Sequence, residues 1–154
     1  MKHDIKKLVL EYNRFMDDVL DNSDEMPFQD IINSKMYHPK TNKELKELIK
    51  KLLTSGYTNF NAIDVSEIDD FSYVFPNLTL ETLDLSGWDV SKGKNFSDMF
   101  YGCKNLKELD IANWDVSNGT NFAHMFYDCK LLNMDISKWN TKSAHTFYCM
   151  FFDC

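Results

Sequence analysis

The sequence contains no uninterrupted stretch approaching the roughly twenty apolar residues that span a bilayer. Its first residues, MKHDIKKLVLEYNRFMDDVL, break their apolar positions with charges every few places, so no secretory h-region fits there. As written, the chain is expected in the cytoplasm, or at a cell surface if a leader has been removed. Cysteine is scarce: four in 154 residues are too few for a disulfide framework. A basic surplus is absent too. Lys and Arg total 17 against 24 Asp and Glu, for a formal charge of −7. Residues 1–60 hold ten of each sign, so residues 61–154 carry the whole excess. Such a chain is a poor candidate for neutralising phosphates, which needs clustered cations. It fits a basic protein partner better. No Gly-rich phosphate loop is present. His3, His38, His124 and His145 do not sit beside a recurring Ser or Asp, which leaves nucleophilic catalysis without support. The expectation is a protein that is not an enzyme, with no catalytic residue, cofactor or metal site.

What the sequence does have is repetition. WDVSKGKNFSDMFYGC (Trp88–Cys103) returns as WDVSNGTNFAHMFYDC (Trp114–Cys129) and as WNTKSAHTFYCMFFDC (Trp139–Cys154). The Trp, Phe and Cys positions recur at spacings of 26 and 25 residues. Upstream, DVSEIDDFSYVF (Asp64–Phe75) matches Asp89–Phe100 in register, with Ile63 in the Trp position. A near-copy at fixed spacing is a building unit. Each unit has two parts. LETLDL (Leu80–Leu85), LKELDI (Leu106–Ile111) and the shorter LNMDI (Leu132–Ile136) alternate as strands with one buried face do. Phe96, Met99, Phe100 and Cys103 then fall at i, i+3, i+4 and i+7, the pattern of one face of a short helix, and Phe122–Cys129 and Phe147–Cys154 repeat it. Stacked units would bury these faces by pairing each strand with the next at about 4.8 Å.

The pattern L-x-x-L-D-[LI]-x-x-W-D-V-S…F-x-x-M-F-x-x-C resembles the BspA-like leucine-rich repeat family of bacterial surface proteins, which writes WDTSNVTNMSxMF in the same register. The segment Tyr37–Phe75 is similar to the entry segment before the first repeats there. The resemblance implies an α/β solenoid, a short BspA-like leucine-rich repeat array of about four coils with parallel strands, that binds other proteins without enzymatic activity. The chain departs from the motif at two places. Gly93, Gly119 and Ala144, with Ile68 in the first unit, replace a Val, and Phe71, Phe96, Phe122 and Phe147 replace the Met after it. Exchanging small for large and large for small suits repacking at constant volume.

Residues 1–60 do not repeat and are expected to form an N-terminal helical cap region. Residues 61–154 form the repeat array, with units near 61–78, 79–105, 106–131 and 132–154. Thr41-x-x-Glu44 is a capping box, Gly56 a stop, and Leu45, Leu48, Ile49, Leu52 and Leu53 an apolar stripe between them. Residues 3–20 are a second candidate helix, followed by a loop at Asp21–Asp30 and a short turn around Phe28–Ile32.

The recurrent Cys and Trp are read as core. Cys149 differs because it takes the polar place of Asp98 and His124. Asp64, Asp89, Asp115 and Asn140 suit turns in which the side chain accepts backbone N–H bonds. Asp84, Asp110 and Asp135 share one outward strand position, where like charges would sit side by side. They serve either local hydrogen bonds or an acidic binding face. The leading expectation is a protein-interaction surface of Thr82, Asp84, Glu108, Asp110 and Asp135 facing a basic protein. The alternative is a small phage or mobile-element inhibitor, anti-CRISPR-like, that occupies the basic nucleic-acid channel of a bacterial defence nuclease. Direct nucleic-acid binding is not expected. The final unit is the most aromatic, and the chain as written stops at Cys154 without a capping segment. A second copy meeting it end to end around a two-fold axis, through Ile136, Phe151 and Phe152, would make a homodimer.

Overall fold

The computed structural model describes residues 37–154 apart from Ser55. The helix expected at 3–20 and the loop and turn after it lie outside the described residues. One helix, α1 (Asn42–Thr54), forms where the capping signals place it. Thr41 Oγ1 accepts the Glu44 N–H at 3.2 Å, and the Glu44 carboxylate accepts the Lys40 N–H at 2.8 Å. At the other end the Tyr57 N–H reaches the Leu52 carbonyl and the Gly56 N–H reaches Leu53, with Gly56 at φ +82°. That is a Schellman stop, which needs a residue tolerant of the left-handed region. Leu45, Leu48, Ile49 and Leu52 of α1 are buried in the same core as the repeats. No helix among the described residues is long and apolar enough to cross a membrane.

After α1 the units lie one upon another. Strand β1 (Thr82–Asp84) pairs in parallel with β2 (Glu108–Asp110), placing Thr82 beside Glu108, Leu83 beside Leu109 and Asp84 beside Asp110. A parallel bridge chain, Asp70–Asn95–Asn121–Thr146, links all four units on the other side. The aromatic positions stack accordingly. Phe71, Phe96, Phe122 and Phe147 form a column with ring centroids 5.4, 5.3 and 5.4 Å apart. Phe75, Phe100, Phe126 and Phe151 form a second, at 5.7, 5.5 and 5.5 Å.

Two local expectations are corrected. The third strand, Leu132–Ile136, does not form; one bond remains there, from the Asn133 N–H to the Lys107 carbonyl. This unit is one residue shorter than its neighbour, which removes the register that β1 and β2 share. The apolar stripes are not helices either. Phe96–Met99 and Phe100–Cys103 are consecutive four-residue turns, closed by Met99 N–H to Phe96 O and Cys103 N–H to Phe100 O. Their third residues, Asp98 and Gly102, lie at φ +56° and +72°, which a right-handed helix forbids and a type II turn requires. The same two positions are Tyr73 and Asn77, His124 and Asp128, and Cys149 and Asp153 in the other units, all with positive φ.

The turns form because their free N–H groups are all used by the stack. Phe96, Asp98, Phe100 and Gly102 donate to the carbonyls of Asn121, Ala123, Met125 and Tyr127 in the next unit. Phe71, Tyr73, Phe75 and Asn77 do the same one unit earlier, and Phe122, His124, Phe126 and Asp128 one unit later. The Ser97 N–H, between two of these, goes to Asn95 Oδ1 at 3.1 Å, and Ala123 goes to Asn121 Oδ1 at 3.0 Å. A buried backbone needs this complete pairing.

The glycine positions follow from the same packing. A Cβ on Gly93 would come within 2.4 Å of the tip of the Phe96 ring, and one on Gly119 within 2.3 Å of Phe122. The large Phe and the missing side chain are one feature.

Candidate functional site

Each Trp is buried and donates its indole N–H backward along the stack. Trp88 reaches the Phe60 carbonyl at 2.9 Å, Trp114 reaches Leu85 at 3.2 Å and Trp139 reaches Ile111 at 3.1 Å. The rings are therefore core with a satisfied polar tip, and no stacking platform is open. The thiols are used likewise. Cys103 Sγ donates to Phe75 O and Cys129 Sγ to Phe100 O, both at 3.1 Å, and Cys154 Sγ to Phe126 O at 2.8 Å. The neighbouring Cys103 thiol and burial push the Cys129 thiol far up, away from thiolate chemistry. Cys149, half-buried, lies at a positive-φ turn position. The columns are legible in the sequence but this donor role is not; its signal is a Cys three residues after the second Phe in each of the last three units.

No group of three or more His, Cys, Asp or Glu that could hold a metal is found among the described residues. The closer acid–imidazole pair is His38 and Asp64, 3.1 Å apart at the surface; a second is Asp98 and His124. At 3.6 Å it is too long for a hydrogen bond, and the His124 ring instead meets Tyr127 and Tyr148 edge-on.

The strand positions singled out from the sequence are brought together on one side. Thr82, Asp84, Glu108 and Asp110 are exposed, and β1–β2 pairing sets them as two adjacent rows. Asp135 is exposed but follows no strand. Their carboxylates do not behave alike. Asp84 Oδ1 accepts from the Ser86 hydroxyl at 2.6 Å and from the Ser86 N–H at 2.9 Å, which hold its carboxyl below the usual range. Asp135 Oδ1 accepts the Ser137 N–H at 2.8 Å, with the same direction and cause. Asp110 has Ala112 where the others have Ser, and no hydrogen bond to its side chain is recorded among the described residues. Two of the three thus hold their own turn, while Asp110 makes no such bond among the described residues.

The turn column is accounted for by local bonds. Asp64, Asp89 and Asp115 each accept the N–H two residues on, from Ser66, Ser91 and Ser117 at 3.0 Å. Ser66, and then His38 at 3.1 Å, hold the Asp64 carboxyl down at about 2. Charges elsewhere pair between units: Lys92 with Glu67, Lys94 with Asp69 and Lys107 with Glu81. Glu108 and Asp110 form no ion pair among the described residues.

Of the residues expected at an oligomer edge, Ile136 is half-buried against the core, whereas Phe151 and Phe152 are 47% and 55% exposed.

A family model described as a Mycoplasma protein of unknown function, DUF285, matches residues 43–154. No match is found among curated proteins or among solved structures. The family match overturns the resemblance to the BspA-like leucine-rich repeat surface proteins. Independently of the family, the repeat is built from paired turns where its apolar spacing predicts short helices. From α1 through the last repeat, the chain belongs to the family described as Mycoplasma protein of unknown function, DUF285.

Proposed function

We propose that the chain is a short solenoid of about four stacked units behind a helical cap, and that it works as a non-catalytic protein-binding module. Its docking surface is the exposed side of β1 and β2, with Thr82, Asp84, Glu108, Asp110 and the neighbouring Asp135. The observation that carries this reading is the parallel register that sets Asp84 directly beside Asp110, both exposed. Like charges placed opposite each other cost stability. The Ser86 bonds offset that for Asp84, whereas no ion pair or side-chain hydrogen bond among the described residues offsets it for Asp110. A basic protein surface docking on the pair would relieve it and gain orientation and association rate from complementary charge. A narrower form of the same reading is an inhibitor that fills the basic nucleic-acid channel of a nuclease. The negative excess confined to residues 61–154 favours it.

The test is comparative capture from lysate with wild type and with Asp84, Asp110 and Asp135 all replaced by Asn. A specific partner is retained by wild type, weakened by the triple variant and weakened by added salt. Retention unchanged by both would remove the acidic face from the account. Assaying a captured nuclease for inhibition distinguishes the narrower form.

A further inference from the structure

One turn recurs at the same place in every unit. The N–H groups of Ile68, Gly93, Gly119 and Ala144 donate to the carbonyls of Val65, Val90, Val116 and Thr141 at 2.7 to 3.0 Å. The residue before each donor is Glu67, Lys92, Asn118 or Ser143. Two of these reach back to the preceding unit. Lys92 Nζ pairs with Glu67 at 2.8 Å, and Asn118 Nδ2 donates to the Ser91 carbonyl at 2.7 Å. Asn118 is exposed, and it is the one Asn of the chain that a Gly follows. Packing requires that Gly, because a Cβ at 119 would stand 2.3 Å from the tip of the Phe122 ring. The fold thus sets next to an exposed side-chain amide a backbone nitrogen that no side chain shields.

We infer that Asn118 is a site of spontaneous covalent modification, converting to aspartate and isoaspartate through a succinimide that the Gly119 nitrogen closes. The Gly119 nitrogen bonds to the Asn118 Cγ and gives up its proton. The Cγ–Nδ2 bond breaks, and the side-chain nitrogen takes that proton and leaves as ammonia. Water then opens the ring: its hydroxyl adds to one ring carbonyl, and its proton goes to the Gly119 nitrogen. Opening at Cγ gives aspartate with the backbone restored. Opening at the main-chain carbonyl gives isoaspartate, whose backbone runs through Cβ and Cγ.

The folded chain restrains both reacting groups. Gly119 is buried with its N–H on Val116 O, and the Asn118 amide is tied to Ser91 O. Both bonds must open first, so the rate follows local opening of this turn. The product cannot remake the tie. A carboxylate only accepts hydrogen bonds, so it has nothing to donate to the Ser91 carbonyl. It also adds one negative charge to the −7 of the chain. Glu67, Lys92 and Ser143 carry no side-chain amide, so among these four turns only the junction of the second and third units ages in this way. This goes beyond the protein-binding reading and does not depend on it.

The test is to incubate the full chain at mildly alkaline pH, folded and in denaturant, and to map its tryptic peptides by mass spectrometry with electron-based fragmentation. In the unfolded chain, both products should accumulate at Asn118 ahead of Asn113 and Asn121, which lie in the same peptide. In the folded chain, followed for about a hundred half-times of the unfolded reaction, they should form about ten- to a hundredfold more slowly. The converted fraction, separated on an anion exchanger by its extra charge, should melt a few degrees below the unreacted chain. Asn118→Ser, the residue of the last unit, should give no product at 118. Asn118→Lys, the residue of the second unit, replaces it if its circular dichroism departs from the wild-type spectrum. Equal rates in the folded and unfolded chains overturn the proposal. So do a faster site within that peptide, no product in the folded chain by the end of the interval, or a converted fraction that melts with the unreacted chain.

Discussion

The two long sides of the stack are held in different ways. On the turn side, four backbone bonds join each unit to the next, and aromatic columns run through all four units. On the strand side, β1 and β2 are three residues each, and the pairing fades before the last unit. Cohesion resides in the turns. The strands contribute a short surface on which Thr82, Asp84, Glu108 and Asp110 are exposed. A side that holds the molecule together tolerates little change, and the other side is the one on which the proposed docking surface lies.

Truncating the turn side should therefore have the largest effect. Phe100→Ala removes a fully buried ring stacked between Phe75 and Phe126, and Trp114→Ala removes a buried indole and its bond to Leu85. Each should cost about 3–5 kcal/mol, read from denaturant midpoints. A loss below about 1 kcal/mol would break the comparison. Next, Gly119→Val places a side chain into the Phe122 ring and should cost about 1–3 kcal/mol. Phe122→Met in the same chain should recover part of that loss, because the ring is what the valine meets; equal destabilisation in both backgrounds would separate the two positions.

A smaller effect is acid-dependent. The Asp64 carboxyl has its folded value lowered from 3.8 to about 2 by Ser66 and His38. A lowered carboxylate stabilises the fold above its unfolded value and loses that contribution as pH falls through the folded one. At neutral pH wild type should exceed Asp64→Asn by about 1 kcal/mol, after allowance for solvent screening at this partly exposed site. Melting temperatures of the two should converge between about pH 4 and pH 2. Convergence at higher pH would remove the Ser66 and His38 bonds as the cause. The smallest stability change belongs to the strand side. Replacing Asp84, Asp110 and Asp135 by Asn should move the midpoint by no more than about 0.5 kcal/mol, since Asn still accepts the Ser86 and Ser137 bonds. A large loss would mean that the strand side also holds the fold.

Sequence and structure agree where side chains recur and part where the backbone decides. The Trp, Phe and Cys columns were legible because identical residues at 25 or 26 positions must find the same environment. The helix α1 was legible from Thr41, Glu44 and Gly56. The turns were misread because Phe96, Met99, Phe100 and Cys103 point inward from two successive turns as they would from two turns of a helix. The discriminating signal was present. Asn77, Gly102, Asp128 and Asp153 form a column of the residue types that enter the left-handed region most readily. Asp70, Asn95 and Asn121 form another, of side chains that accept a backbone N–H two residues on. The acidic positions were legible as a row, and their division was written two places later, in Ser86, Ala112 and Ser137; the structure adds that the Ser N–H and, at Ser86, the hydroxyl reach the carboxylate.

The two orientations of the peptides that join the units also have an electrical meaning. In the paired turns the N–H groups of Phe71, Tyr73, Phe75 and Asn77, and of their counterparts, point to the following unit, whereas those of Lys94, Asn95, Lys107, Glu108, Thr120 and Asn121 point to the preceding one. Each peptide carries a dipole of about 3.5 D, and dipoles of opposite sense along the stacking axis offset one another. The stack is thus unlike an α-helix, in which every peptide adds to one field, and each further unit of the same build would add length with little added moment.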